Sequence, residues 1–170
     1  AGMVLPVEEH TQLVRDYIAA ADAVPRPKRD NARVVLTGAF CEQPPLALIK
    51  SIEMSGCYIV DDDFMLVTRW LLDDVPADGN PLEELSKAFL HRSASTAAKY
   101  ETTREEKGVF LLQQVKTRSA EGVIFAAPSF CDPALLERPM LQDVLGKHKV
   151  PHTAFKYAEN TGQMAPIREQ

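Results

Sequence analysis

Cys41, Cys57 and Cys131 are the side chains here best suited to metal or redox chemistry. A thiolate binds iron and acts as a nucleophile, whereas the neutral thiol packs as a small apolar group. The three form an odd set without a CxxC pair, which fits neither a disulfide framework nor a self-contained zinc site. Cys41 and Cys131 each stand a few residues beyond an apolar, strand-like run and shortly before prolines that suit a helix's first turn, Pro44-Pro45 and Pro133. A helix N-terminus favours thiolate, and a thiolate there can hold iron. Simple burial is the competing reading for both. Cys57 begins an apolar run instead of following one and reads as a small core residue. Iron–sulfur clusters normally need three or four thiolates, so ligands beyond this pair must lie elsewhere.

Oxygen chemistry has two candidates. The acids Asp61-Asp62-Asp63 follow an apolar run, where they could orient a substrate or move a proton, although acids that open a helix usually cap it. The turn Asn160-Thr161-Gly162-Gln163, with Arg168 after it, could bind a carbonyl or phosphate, and a plain polar turn fits equally well. Among the histidines only His148 and His152 have a ligand-like i, i+4 spacing, and Pro151 interrupts the helix that would present them. Walker A, G-x-G-x-x-G and G-x-S-x-G sequences are absent, which leaves NTP hydrolysis, ordinary dinucleotide binding and α/β-hydrolase chemistry without support.

These residues need elements to hold them. Leu13, Val14, Tyr17 and Ile18 share one side of an amphipathic helix over Val7 to Ala23, and Pro25 to Asn31 reads as a connector. Strands are expected at Arg33 to Ala39, Cys57 to Val60, Gly122 to Ala127 and Thr153 to Tyr157. Helices are expected from Pro44 to Ser55, Phe64 to Leu72, Pro81 to Leu90, Arg104 to Val115 and Pro133 to Lys147, with a loop over Asp73 to Asn80. The alternation predicts an α/β fold: a mainly parallel four-stranded sheet with helices on both faces, in flavodoxin- or Rossmann-like layers. Residues 1–31 would form a helix and linker, and residues 32–170 the domain. Ligands of such sheets bind beyond the carboxyl ends of the strands, the edge to which Cys41, Asp61–Asp63, Cys131 and Asn160–Gln163 all belong.

The 170 residues carry a formal charge of −5, with 45% hydrophobic and 25% charged residues, the balance of a globular domain. An acidic chain is not drawn to nucleic-acid phosphates or anionic lipid. No apolar run reaches bilayer length and Ala1 to Glu9 lacks signal-peptide features, so a cytoplasmic location is expected.

Several strings carry a family resemblance: Arg33 to Gly38, Phe40-Cys41-Glu42-Gln43-Pro44-Pro45, Ser55-Gly56, Val60 to Asp63, Ala126 to Leu136 and Phe155 to Gln163. In that order they resemble the C-terminal half of proteins of the benzoyl-CoA reductase and 2-hydroxyacyl-CoA dehydratase family. Within it they look most similar to the non-ATPase subunits of ATP-dependent reductases. The resemblance implies a subunit that holds a 4Fe–4S cluster and helps form a pocket for an aromatic acyl-CoA. It implies a companion subunit of the same family and an ATPase iron–sulfur activator that supplies low-potential electrons. Cys131, in the Phe-Cys-Asp-Pro loop, would be a cluster ligand; from the loop reading above, Cys41 is a second candidate ligand and Asp61, Asn160 and Gln163 are candidate substrate contacts. The remaining ligands would come from a region N-terminal to these residues, since family members are longer and this sequence reads as a fragment. A related dehydratase subunit, or a cluster-free α/β binding or scaffold module, are the alternatives.

Overall fold

The structure is a computed structural model that describes residues 2–27, 29–38, 44–63, 71–93 and 104–158, save the side chains of residues 104–107. The chain divides into two compact units, Ala1–Asp30 and Asn31–Gln170. In the first, α1 spans Val7–Ala23, with Glu8 and Glu9 in its first turn where the helix dipole favours acids. Arg26 donates to the Ala21 carbonyl and so satisfies one acceptor at the other end. The apolar side expected from the sequence is present, but Leu13, Val14, Tyr17 and Ile18 are all exposed.

The second unit is a four-stranded sheet of β1 (Ala32–Thr37), β2 (Cys57–Asp62), β3 (Gly122–Pro128) and β4 (His152–Tyr157), in the order β2-β1-β3-β4. Every pairing is parallel. All seven residues of β3 are buried, as an interior strand covered on both faces requires, whereas β2 at one edge is half-buried throughout. The helices are α2 (Leu46–Met54), α3 (Pro81–Arg92), α4 (Arg104–Thr117) and α5 (Asp132–Lys147).

Alternate side chains of the strands feed two cores, because successive residues point to opposite faces. On one face Val34, Leu36, Ile124, Ala126 and Phe155 pack with Leu48 and Ile52 of α2. On the other, Val35, Val123 and Phe125 pack with Leu111, Leu112 and Val115 of α4 and with Leu141 and Leu145 of α5. Fully buried Leu36, Leu48 and Leu145 each contribute about 1.5–3 kcal/mol through the area they remove from water. Close approach of α4 to α5 depends on Gly108: a Cβ there would lie 2.4 Å from Val144 Cγ1.

Local chemistry sets the ends. Asn80 caps α3 by accepting from the Leu82 and Glu83 amides, and Pro81 occupies the first turn. The helices α4 and α5 end on Ser119 and Lys149 in the left-handed region, with Ala120 and Val150 amides returning to the Val115 and Leu145 carbonyls. Arg33 reinforces the first of these ends by donating to the Arg118 and Ser119 carbonyls.

Two expectations differ in extent. β2 continues through Asp61 and Asp62, past a register shift between Val34 and Val35 of its neighbour, so those acids belong to the strand. Most of the helix expected over Phe64 to Leu72 lies outside the described residues, and Leu71 and Leu72 are not helical.

Candidate functional site

β1 connects through α2 to β2 on its one side, and β3 connects through α5 to β4 on its other side. The two connections cover opposite faces, as the two cores record, so the chain parts in two directions at the carboxyl ends of β1 and β3. At such a divergence an open parallel sheet usually has the crevice that takes its ligand.

The β3 side is described in full. The Cys131 amide donates to the Pro128 carbonyl at 3.0 Å, and the Cys131 carbonyl accepts from the Leu135 amide at 3.1 Å as the first turn of α5 forms. Cys131 is therefore the N-cap of α5, and Asp132 and Pro133 follow in that turn. Ser129 ties the loop to β4 by donating both its amide, at 2.8 Å, and its hydroxyl, at 3.0 Å, to the Tyr157 carbonyl. The thiol of Cys131 is wholly buried, in a small group with Ala127, Ala134 and Leu135 separate from the two cores. Burial, which its loop position left open, is what the fold gives this side chain. Phe130 beside it is 60% exposed.

On the β1 side the described chain ends at Gly38, and Cys41 lies outside the described residues. Gly38 has φ +108° and lies so close to β3 that a Cβ would come 3.1 Å from the Ala126 carbonyl oxygen. Only glycine meets both demands without strain. Asp63, on the loop after β2, accepts from the Thr37 hydroxyl and from the Gly38 amide, the latter at 3.1 Å. Its own amide donates to the Leu36 carbonyl at 3.3 Å. Thr37 and Asp63 are both buried.

Asp61 is engaged elsewhere. Its Oδ2 accepts from Arg118 Nε at 2.9 Å, and its Oδ1 from the Asp62 amide at 2.9 Å. The carboxylate in turn raises the Arg118 pKa, first through this hydrogen bond and then through charge. Asp61 lines a polar depression between β2 and α4, shared with Asp73, Gln113, Gln114 and Arg118, beside the sheet edge and not at the switch point. Asn160 and Gln163 lie outside the described residues.

Cys57 begins β2 at the opposite edge, half-buried, and burial pushes its thiol pKa up. An apolar cavity of about 440 Å³ opens near it, lined by Val34, Ile52, Ile124, His152 and Phe155. This cavity lies at the amino ends of the strands, where an open parallel sheet does not place its chemistry. His152 Nδ1 donates to the Val150 carbonyl at 3.0 Å and the ring meets Phe125 edge-on, so the side chain belongs to the packing there.

Among the described residues no group of three or more His, Cys, Asp or Glu side chains gathers to hold a metal ion. The described cysteine at this end of the sheet is Cys131, on the loop after β3, and Cys41 lies outside the described residues. One thiol fits at most part of an iron–sulfur ligand set and leaves the rest to be supplied. The sequence marks Asp63 only as one of three acids. Its partners are 25 and 26 residues away, so no local pattern singles it out. Ser129 carries no signal either, since its partner is 28 residues distant. Among the described residues no helix is long and apolar enough to cross a membrane.

The family described as 2-hydroxyglutaryl-CoA dehydratase, D-component, matches residues 1–170. A benzoyl-CoA reductase subunit of Thauera aromatica is 66% identical over 170 residues, all of this chain and 44% of the relative. The (R)-phenyllactyl-CoA dehydratase beta subunit of Clostridium sporogenes is 28% identical over 149 residues, 88% of this chain and 38% of the relative. The lactoyl-CoA dehydratase beta subunit of Anaerotignum propionicum is 30% identical over 135 residues, 79% of this chain and 35% of the relative. The chain spans less than half the length of these curated relatives. With its parallel sheet, its thiol at the head of α5 and a match along its whole length, the chain belongs to the 2-hydroxyglutaryl-CoA dehydratase D-component family.

Proposed function

We propose that this chain is the α/β part of an iron–sulfur subunit of an ATP-driven reductase that dearomatises benzoyl-CoA by low-potential single-electron transfer. The observation that carries the reading is the 66% identity along the whole chain to a subunit of benzoyl-CoA reductase. Cys131, on the loop after β3 and beside β1 at the switch point, supports it. In this reading residues 1–31 are a helix and linker and residues 32–170 the domain of a larger cytoplasmic subunit.

Cys131, and with it Cys41, would hold the 4Fe–4S cluster, and the remaining ligands come from the rest of the parent chain. When bound, that group supplies single electrons at low potential. The chain's own part is positional. Burial of Cys131 beside Ala127 and Ala134 keeps water from the sulfur, and the N-terminus of α5 faces it with positive dipole. Phe130, exposed on the same loop, offers an apolar face to an aromatic acyl group. Asp61, Asn160 and Gln163 are the proposed substrate contacts, and Asp61 reaches a substrate only by releasing Arg118. Amide donors on this edge would stabilise the negative charge that develops on the thioester carbonyl. The partners are an aromatic acyl-CoA, a companion subunit of the same family and an ATPase iron–sulfur activator.

The test uses the full-length protein, co-expressed with its companion and reconstituted without oxygen. Cluster absorbance, a paramagnetic signal on reduction and activator-dependent loss of benzoyl-CoA aromaticity are expected. Iron without ring reduction, but with loss of water from a 2-hydroxyacyl-CoA, would move the subunit to the dehydratase branch, to which identity is 28–30%. No iron at all would leave a binding or scaffold module.

A further inference from the structure

We infer that the apolar cavity at the amino ends of the strands is the seat of an amphipathic helical segment of the parent chain beyond Gln170, which completes the α2 face of the sheet over β3 and β4. The inference rests on a parent longer than these residues and is independent of the cluster.

A sheet of this width takes two helices on each face. Strands lie about 4.8 Å apart and a helix with its side chains is about 10–12 Å across, so one helix spans roughly two strands. The face of Val35, Val123 and Phe125 has two, α4 and α5. On the other face α2 is the one helix among the described residues that joins the core, through Leu48 and Ile52. It connects β1 to β2 and packs on β2, at the opposite edge of the sheet from β4.

The shortfall is local. Toward the carboxyl ends of β3 and β4, Ala126 and Tyr157 are closed off from solvent. Toward the amino ends the cavity of about 440 Å³ opens between Ile52 of α2 and Ile124, His152 and Phe155 of the strands. Protein interiors hold few voids larger than one water, whose share of the liquid is about 30 Å³. Apolar walls give ordered water no partners, and an all-parallel sheet is covered on both faces, so the space calls for side chains.

Chain direction names the occupant. The chain leaves the edge strand β4 at its carboxyl end, Tyr157. After a parallel strand, polypeptide crosses one face of the sheet back toward the amino edge. Leu141 and Leu145 of α5 already hold the other face, packed with Val123, Phe125 and Ala154, so the room lies on the α2 side. The chain spans 44% of the length of its Thauera aromatica relative, so a parent of that length has polypeptide to supply the segment. A helix fits with an apolar stripe turned to Ile52, Ile124 and Phe155 and polar residues outward.

The experiment is photo-crosslinking in the full-length subunit assembled with its companion. Benzoylphenylalanine replaces Ser55, exposed at the end of α2, or Thr153, half-buried on β4, both on the cavity wall. The control position is Lys116, exposed on α4 over the other face. Peptide mass spectrometry is expected to find residues beyond Gln170 as the main product from positions 55 and 153, and at least severalfold less of it from position 116. Should the Thr153 variant fail to assemble, Ser55 carries the test, since its probe replaces no buried group. Capture of the companion would make the cavity a subunit interface and overturn the inference. Capture of chain that precedes Ala1, or of residues 159–170 alone, overturns it as well. So does a probe that meets only solvent, or a parent chain that stops at Gln170.

Discussion

Replacing Gly38 by alanine tests whether the exit of β1 is as tightly determined as the contacts around it require. At φ +108° an L-residue is held in a sparsely populated region at a cost of about 1–3 kcal/mol. The new Cβ would also stand 3.1 Å from the Ala126 carbonyl oxygen, a backbone atom that cannot rotate away. Overpacking of this kind adds about 1–3 kcal/mol, while the stiffer unfolded chain returns about 0.4–1 kcal/mol. The net expectation is a loss of about 2–4 kcal/mol. With a urea dependence near about 2 kcal/mol per molar, the unfolding midpoint should fall by about 1–2 M at unchanged slope. Because Asp63 holds the same turn, the Gly38→Ala and Asp63→Ala losses should not add, with a coupling of about 1 kcal/mol or more. A midpoint shift below about 0.25 M, or simple additivity, would refute the idea that this turn is clamped.

Three further outcomes are expected. Gly108→Ala should destabilise the chain by about 1–3 kcal/mol despite the better helix propensity of alanine, because its Cβ meets Val144 Cβ and both Cγ atoms within 2.6 Å; thermal unfolding measures it. Lys149→Gly should raise stability by about 0.5 kcal/mol, the left-handed penalty at φ 56° less the added chain entropy, and no gain in a urea titration would contradict that account. Cys57, whose thiol pKa is raised by burial, should alkylate more slowly than an unstructured thiol at about pH 8 and approach it only at higher pH. The neutral thiol is the form the fold favours, so its contribution to stability is complete below the ordinary thiol pKa. That contribution is lost as pH rises through the raised value.

The layers are legible because periodicity and punctuation agree in this sequence. Continuous apolar runs mark β1 and β3, which the sheet covers on both faces, and Pro133 and Gly56 mark helix ends. Strand β2 reads two residues short, since Asp61 and Asp62 resemble a loop until Arg118, 57 residues away, is seen to pair with the first of them. The carboxyl-terminal edge of the sheet is equally legible, since strand direction alone decides which loops leave there. What sequence could not supply was the tie across that edge. Thr37, Gly38 and Asp63 are separated by a helix and a strand, and only the parallel pairing of β1 with β2 brings them together. The wholly buried state of Cys131 likewise depends on Ala127, Ala134 and Leu135 packing around it.

The measurement that bears most directly on the thiolate site is iron per chain in the full-length protein, reconstituted without oxygen, with Cys131→Ser compared against Cys57→Ser. Serine at position 131 should strip iron while leaving the circular dichroism of the fold in place, and serine at position 57 should leave iron at the unmutated level. Equal iron in the Cys131→Ser and unmutated proteins would contradict the assignment of this thiol, and with it the role given to the crevice between β1 and β3.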